Sequence, residues 1–161
     1  MNSNLIISQL VNIPTQLCNI YFNKEWWVKE EDKLPYDIIY KYYDKLYKQG
    51  NIVTCDFNNE ILGYVEFWKI NFEQFGRIIC HVKFCGDGED IQNGNLAYVA
   101  NVWIAPEYRN SWVTKMLKIK FFRNTYMCEY FCGMATRKKT QPVKVFKKSE
   151  LSSKLFTEGI I

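Results

Sequence analysis

Residues 98 to 117 read Y-V-A-N-V-W-I-A-P-E-Y-R-N-S-W-V-T-K-M-L, a strand pattern that runs into a proline and re-emerges as a helix. The strand is predicted over Leu96 to Ala105, and Pro106 ends it because proline has no N–H to give to a ladder. The helix is predicted over 112 to 126, where Trp112, Val113, Met116, Leu117, Ile119, Phe121, Phe122 and Tyr126 form a broad apolar face. A second strand pattern follows at Tyr130 to Thr136. A strand, helix and strand in this order form a crossover, and a crossover within one sheet pairs its strands in parallel.

Upstream the apolar period is close to 2. Ile52 to Phe57 and Ile61 to Ile70 read as strands, and Asn58-Asn59-Glu60 between them is a hairpin turn signal. Arg77 to Phe84 is expected to be a further strand with Ile78, Cys80, Val82 and Phe84 on one face. Two helical stretches precede the hairpin. Residues 5 to 22 have helical apolar spacing interrupted by Pro14, which predicts one kinked or two short helices. The second starts near Pro35, carries the stripe Ile38, Ile39, Tyr42, Tyr43, Leu46 and Tyr47, and stops at Gly50. A last helix is expected from Val143 to Phe156. The order implies an α+β (mixed α/β) fold: one central sheet, mostly antiparallel with one parallel pair, and helices around it. With 161 residues and no linker or repeat, residues 1–161 are expected to form a single domain.

Composition narrows the function classes. A content of 48% hydrophobic and 24% charged residues is too apolar for disorder, and no apolar run is long enough to suggest a membrane span. Residues 109 to 154 hold 12 of the 21 Lys and Arg but 2 of the 17 acids, a net +10 that leaves the rest of the chain at −6. Such asymmetry suits an anionic partner: a phosphorylated cofactor, a nucleic acid or an acidic protein. It also suits solvated helix faces. The cluster Arg137-Lys138-Lys139 with Lys144, Lys147 and Lys148 comes with no recognised nucleic-acid motif. Six scattered cysteines and the opening M-N-S-N-L-I-I, which lacks a basic n-region, lead us to expect a reduced cytoplasm and buried free thiols. Cys80/Cys85 and Cys128/Cys132 are the close pairs, but on a strand Cys80 points with Ile78, Val82 and Phe84 while Cys85 faces the other way, and no metal site is expected. The single histidine, His81, falls on a polar face with Arg77 and Lys83, so no Ser-His-Asp or Cys-His set can be built around it.

The stretch Ile104-Ala105-Pro106-Glu107-Tyr108-Arg109 resembles the GNAT (Gcn5-related N-acetyltransferase) family of acyl-CoA-dependent N-acyltransferases, in which a central strand ends in V-x-P-E-Y-R and a loop R-x-x-G-x-G opens a helix. The resemblance extends in element order over roughly residues 51 to 151 and is motif-specific over 104 to 117. It implies a GNAT-like sheet with helices on both faces, acetyl-CoA as the acyl donor and an amine as acceptor. Pantetheine would pair with backbone along Val102, Trp103 and Ile104. The phosphates would sit on Arg109, Asn110, Ser111, Trp112, Val113 and Thr114, where the amides of a helix start bind anions. A carboxylate base is implied near the central strands, and Glu66 is the nearest candidate, with Tyr98 the weaker one. A strand glutamate on a solvated sheet face is the plainer reading of Glu66.

The sequence departs from the family at three positions. Trp112 and Thr114 replace the two loop glycines, so that Trp112 either fills the pyrophosphate site or is the first core residue of its helix. Phe146 stands where the family's L-Y-x-x-x-G-F helix has the tyrosine that protonates the leaving thiolate. These losses equally suit a catalytically silent GNAT-like interaction protein with an acidic protein partner, to which Trp26, Trp27, Phe72 and Phe75 would contribute contact surface. The Asn-, Lys-, Ile- and Tyr-rich composition resembles that of AT-rich genomes, and small diverged family members are familiar in tailed bacteriophages. By that analogy the chain would act in host cytoplasm or as a virion component.

Overall fold

The structure is a computed structural model that describes residues 12–23, 29–79, 94–134 and 143–148. The elements are α1 (Ile13–Asn23), α2 (Tyr36–Lys48), β1 (Ile52–Phe57), β2 (Glu60–Ile70), α3 (Phe72–Ile79), β3 (Leu96–Ile104), α4 (Trp112–Asn124), β4 (Tyr130–Met134) and β5 (Val143–Lys147). The sheet runs in the order β1-β2-β3-β4-β5. Every neighbouring pair is antiparallel except β3 and β4, which are parallel and joined by the α4 crossover. The mixed α/β architecture expected from the sequence is therefore the one observed. Among the described residues no helix is long and apolar enough to cross a membrane.

Local chemistry accounts for most boundaries. Asn58 and Asn59 both adopt positive φ, at 49° and 63°, the twist that lets a two-residue turn join β1 to β2. Gly50 closes α2 at φ 69°, and the amides of Gly50 and Asn51 return to the carbonyls of Tyr47 and Leu46. Pro14 does not kink its helix. It lies in the first turn of α1, where a missing N–H costs nothing, and Asn12 Oδ1 caps that turn by accepting from Thr15 N at 3.1 Å. Residues 5–11 of that expected stretch lie outside the described residues.

Two expected elements are corrected. The strand expected from Arg77 starts instead as the end of α3, because Asn71 and Gln74 form a reciprocal cap: Gln74 N donates to Asn71 Oδ1 at 2.8 Å and Asn71 N to Gln74 Oε1 at 3.0 Å. Residues 80–84, including Cys80 and His81, lie outside the described residues, as do Cys85, Trp26 and Trp27. The helix expected from Val143 begins as β5, whose V-K-V-F-K alternation pairs Val145 with Cys132 and Phe146 with Phe131.

The sheet buries both faces. Against α1 and α2 lie Ile52, Tyr64, Trp68, Ile70, Leu96, Tyr98, Trp103 and Cys132. Against α4 lie Val53, Leu62, Val65, Phe67, Ala97, Val99 and Phe131, which pack with Val113, Leu117 and Phe121. Cys128 belongs to the α4 side and Cys132 to the α1–α2 side, so one metal ion could not collect both. Burial pushes both thiols up, as expected for inert core cysteines.

One irregularity in β3 matters for the site. Glu66 pairs with Asn101, yet Phe67 pairs with Val99, so Ala100 is an extra residue, a β-bulge. Before it, Leu96 and Tyr98 face α1–α2 while Ala97 and Val99 face α4. After it the alternation reverses phase: Trp103 and Ala105 face α1–α2, and Val102 and Ile104 pack against the α4 side.

Candidate functional site

Glu66 sits in the middle of β2 on the face covered by α2 and is 5% exposed. It does not lie on a solvated sheet face. Tyr42 of α2 donates its hydroxyl to Glu66 Oε1, and Asn101 supplies a second hydrogen bond from β3. The bulge at Ala100 makes this contact possible, since unbroken alternation would turn Asn101 toward α4 together with Ala97 and Val99. Asn101 Nδ2 also donates to the Tyr64 hydroxyl at 3.2 Å, and Tyr64 is in turn bonded to Tyr43. Burial pushes the Glu66 carboxyl up to about 7, a rise that the bonds from Tyr42 and Asn101 partly offset. The same burial, with the charge of Glu66 nearby, raises both tyrosine hydroxyls. A carboxylate that ionises near neutrality in an apolar, hydrogen-bonded setting is suited to accept a proton.

Tyr98 is buried on the same face, across from Trp68 in β2 and Cys132 in β4. It shares the face with Glu66 but lies on the far side of the bulge. From their sequence spacing Tyr42 and Tyr43 belong only to an apolar stripe and Tyr64 only to a strand. The hint available was that three tyrosines, each needing a partner for its hydroxyl when buried, stand at core positions around one glutamate.

The second half of the site is an opening in the sheet. β3 and β4 pair only from Leu96–Tyr130 to Val99–Gly133, although β3 continues to Ile104. The β3–β4 ladder thus stops at Val99, and Val102, Trp103 and Ile104 lie on the part of β3 beyond it. The opening therefore begins level with Glu66, about one inter-strand spacing of 5 Å away.

A tight turn leads from the end of β3 into α4. Arg109 has φ −64° and ψ 139°, Asn110 has φ 59°, and Ser111 N donates to the Tyr108 carbonyl at 3.3 Å, a type II turn with asparagine in the position that demands positive φ. Arg109 Nε folds back to the Ile104 carbonyl at 3.4 Å. Ser111 is the N-cap of α4: its Oγ accepts from Val113 N at 3.2 Å and donates to the Tyr108 carbonyl at 2.5 Å. Replacing Ser111 with Ala is expected to cost about 1 kcal/mol, read as a lower urea midpoint at unchanged slope.

Trp112 is not the first core residue of its helix. Val113 is the first core residue of α4, while Trp112 is 47% exposed and meets Phe57 at 6.4 Å and Tyr108 at 6.5 Å, edge to face. This is the β1 side of the helix, as Lys120 shows by donating to the Thr54 carbonyl of β1 at 2.6 Å. The indole therefore stands away from the β3–β4 opening. The opposite flank of α4, which packs Phe122 on Phe131 of β4, also carries Thr114 and Lys118. Thr114 Oγ1 is buried without a hydrogen-bond partner among the described residues, and burial lowers Lys118 from the usual lysine range. Phe146 is on β5 rather than on a helix, so the position matched to the family's helical tyrosine is not a helix position here.

No protein-family model matches this sequence, and no curated protein matches it. Similar solved structures include the ribosomal-protein-alanine N-acetyltransferase of Brucella melitensis, at 10% identity over 74% of this chain and 67% of that one, with a TM-score of 0.47. The diaminobutyrate acetyltransferase of Paenibacillus lautus, solved with L-2,4-diaminobutyric acid and coenzyme A, is 11% identical over 74% of this chain and 58% of its own, with a TM-score of 0.45. The loading GNATL domain of CurA from Lyngbya majuscula is 14% identical over 74% of this chain and 59% of its own, with a TM-score of 0.48. The chain thus spans less than two thirds of the length of the last two.

Proposed function

We propose that this chain is a diverged acyl-CoA-dependent N-acyltransferase that moves an acetyl group from acetyl-CoA to an amine. The observation that carries the reading is the coincidence on β3 of the point where its ladder to β4 ends and a bulge that aims Asn101 at a buried carboxylate. An extended amide-bearing chain such as pantetheine would lie along Val102, Trp103 and Ile104, on the part of β3 beyond its ladder to β4. The Arg109–Thr114 segment offers a helix start to the phosphates, with Ser111 occupying the amide of Val113 and the indole of Trp112 turned aside.

In the reaction the amine nitrogen bonds to the acyl carbon, the carbon–sulfur bond breaks, and sulfur leaves as thiolate. The ammonium proton must go first, and Glu66 is the group placed to take it. Tyr98, on the same face but beyond the bulge, lines the acceptor side. Holding donor and acceptor in line supplies much of the acceleration, so a dedicated acid for the thiolate is not required.

Calorimetric titration with acetyl-CoA tests the reading, with saturable heat expected and no heat at millimolar ligand overturning it. The base must be ionised to act, so turnover is expected to rise with pH through about 7. A second reading, an interaction protein with an acidic protein partner, is favoured by one observation. Trp112, Met116 and Ile119 stand exposed on α4 beside the exposed cations Lys115 and Arg123. A folded chain without affinity for acetyl-CoA would favour it.

A further inference from the structure

We infer that Tyr42 is the group that touches the acceptor amine, and that it relays the amine's proton to a Glu66 carboxylate which substrate does not reach. This rests on the acyltransfer reading above. Glu66 is almost fully enclosed by Tyr42 and Tyr43 from α2, Tyr64 and Trp68 from β2, and Asn101 from β3. Of these, Tyr43, Tyr64 and Trp68 are themselves buried, whereas Tyr42 and Asn101 are half-buried. An amide cannot carry a proton at neutral pH. Among the described residues Tyr42 is therefore the one member of the cluster that is part-exposed and bears a hydroxyl already bonded to Glu66.

The transfer balances without any further reagent. The ammonium N–H bond breaks as its proton passes to Tyr42 Oη, and the Tyr42 O–H bond breaks as its own proton passes to Glu66 Oε1. The amine is left neutral with its electron pair free to attack, the tyrosine is restored, and the carboxyl is protonated.

The test compares wild type, Tyr42→Phe, Glu66→Gln and the double variant, with acetyl-CoA as donor and spermidine and a lysine-containing tetrapeptide as acceptor probes. Free thiol release is followed from pH 5.5 to 9. If the relay operates, either single substitution lowers kcat at least 100-fold, leaves the KM for acetyl-CoA within about twofold, and removes the rise through pH 7. The double variant is then no slower than the singles, because the two groups act as one unit. Carbon-detected titration of the Glu66 carboxyl in Tyr42→Phe should show a folded protein whose midpoint has moved upward with the loss of the hydrogen bond. A Tyr42→Phe enzyme with kcat within threefold of wild type and the same pH rise would overturn the relay while leaving acyl transfer standing. Absence of wild-type turnover with every probe, together with absence of acetyl-CoA binding, would overturn both.

Discussion

Replacing Phe121 with Ala is expected to lower stability by about 3–5 kcal/mol, and the melting temperature by roughly 10 °C. The ring is fully buried at the centre of the core between α4 and the sheet. It meets Phe67 of β2 at 5.3 Å, Phe131 of β4 at 5.9 Å and Phe122 of its own helix at 5.4 Å. It therefore joins two strands that are not neighbours, on either side of β3, and truncation would leave a cavity that three aromatic rings cannot easily close. A chain of this size has about 5–15 kcal/mol in total, so the loss would be a large share of it. Urea unfolding would show the effect as a reduced midpoint. A loss below 1 kcal/mol would mean that the packing of α4 on the sheet is not as described. Phe121→Leu, which keeps more of the volume, should cost less than half as much.

Stability is also expected to fall as pH rises, and Glu66 is the cause. Its carboxyl titrates near 7 in the folded chain against an ordinary value of 4.5, so the folded state holds that proton more tightly than the unfolded state. Raising the pH through this window then favours the unfolded chain. The contribution is fully present below 4.5 and lost as pH passes 7, about 3 kcal/mol in all. Glu66→Gln keeps the shape and an oxygen for Tyr42 but cannot ionise. Between pH 4 and 8 its stability should run flat relative to wild type, which should lose about 3 kcal/mol more. Parallel curves for the two proteins would show that ionising Glu66 carries no folding cost.

Where one residue pattern had one structural answer, the sequence was readable. The β1–β2 hairpin, β3 with its proline stop and the α4 crossover follow from apolar period and turn chemistry. α3 was misread because Ile78 continues into an alternating Cys80-Val82-Phe84 pattern, while the Asn71–Gln74 cap that starts the helix is two polar residues in a stretch that resembles a loop. β5 was misread because five residues after Pro142 fit either period until β4 is there to pair with. In the site, Glu66 could be singled out as a carboxylate near the central strands, but its burial could not, since a lone glutamate between valine and phenylalanine suits a solvated face equally well. Tyr42 occupied a stripe position whether or not its hydroxyl had work to do. Asn101 was beyond reach for a different reason: counting by twos along β3 assigns it to the wrong face.

That last point bears on how β3 can be altered. A bulge makes the assignment of side chains to faces depend on the number of residues preceding a position as well as on their identity. Deleting Ala100 would keep every remaining residue of β3 on its present face, because Asn101 would then follow Val99 directly and alternate with it; restoring regular alternation with all residues kept would instead exchange the Glu66 side of the sheet for the α4 side from residue 101 onward. Redesign of the Glu66 side of β3 should therefore count forward from the bulge. Changes at 101 and 103 would alter the surroundings of Glu66, whereas the same changes at 102 and 104 would be felt by the helix on the other side of the sheet.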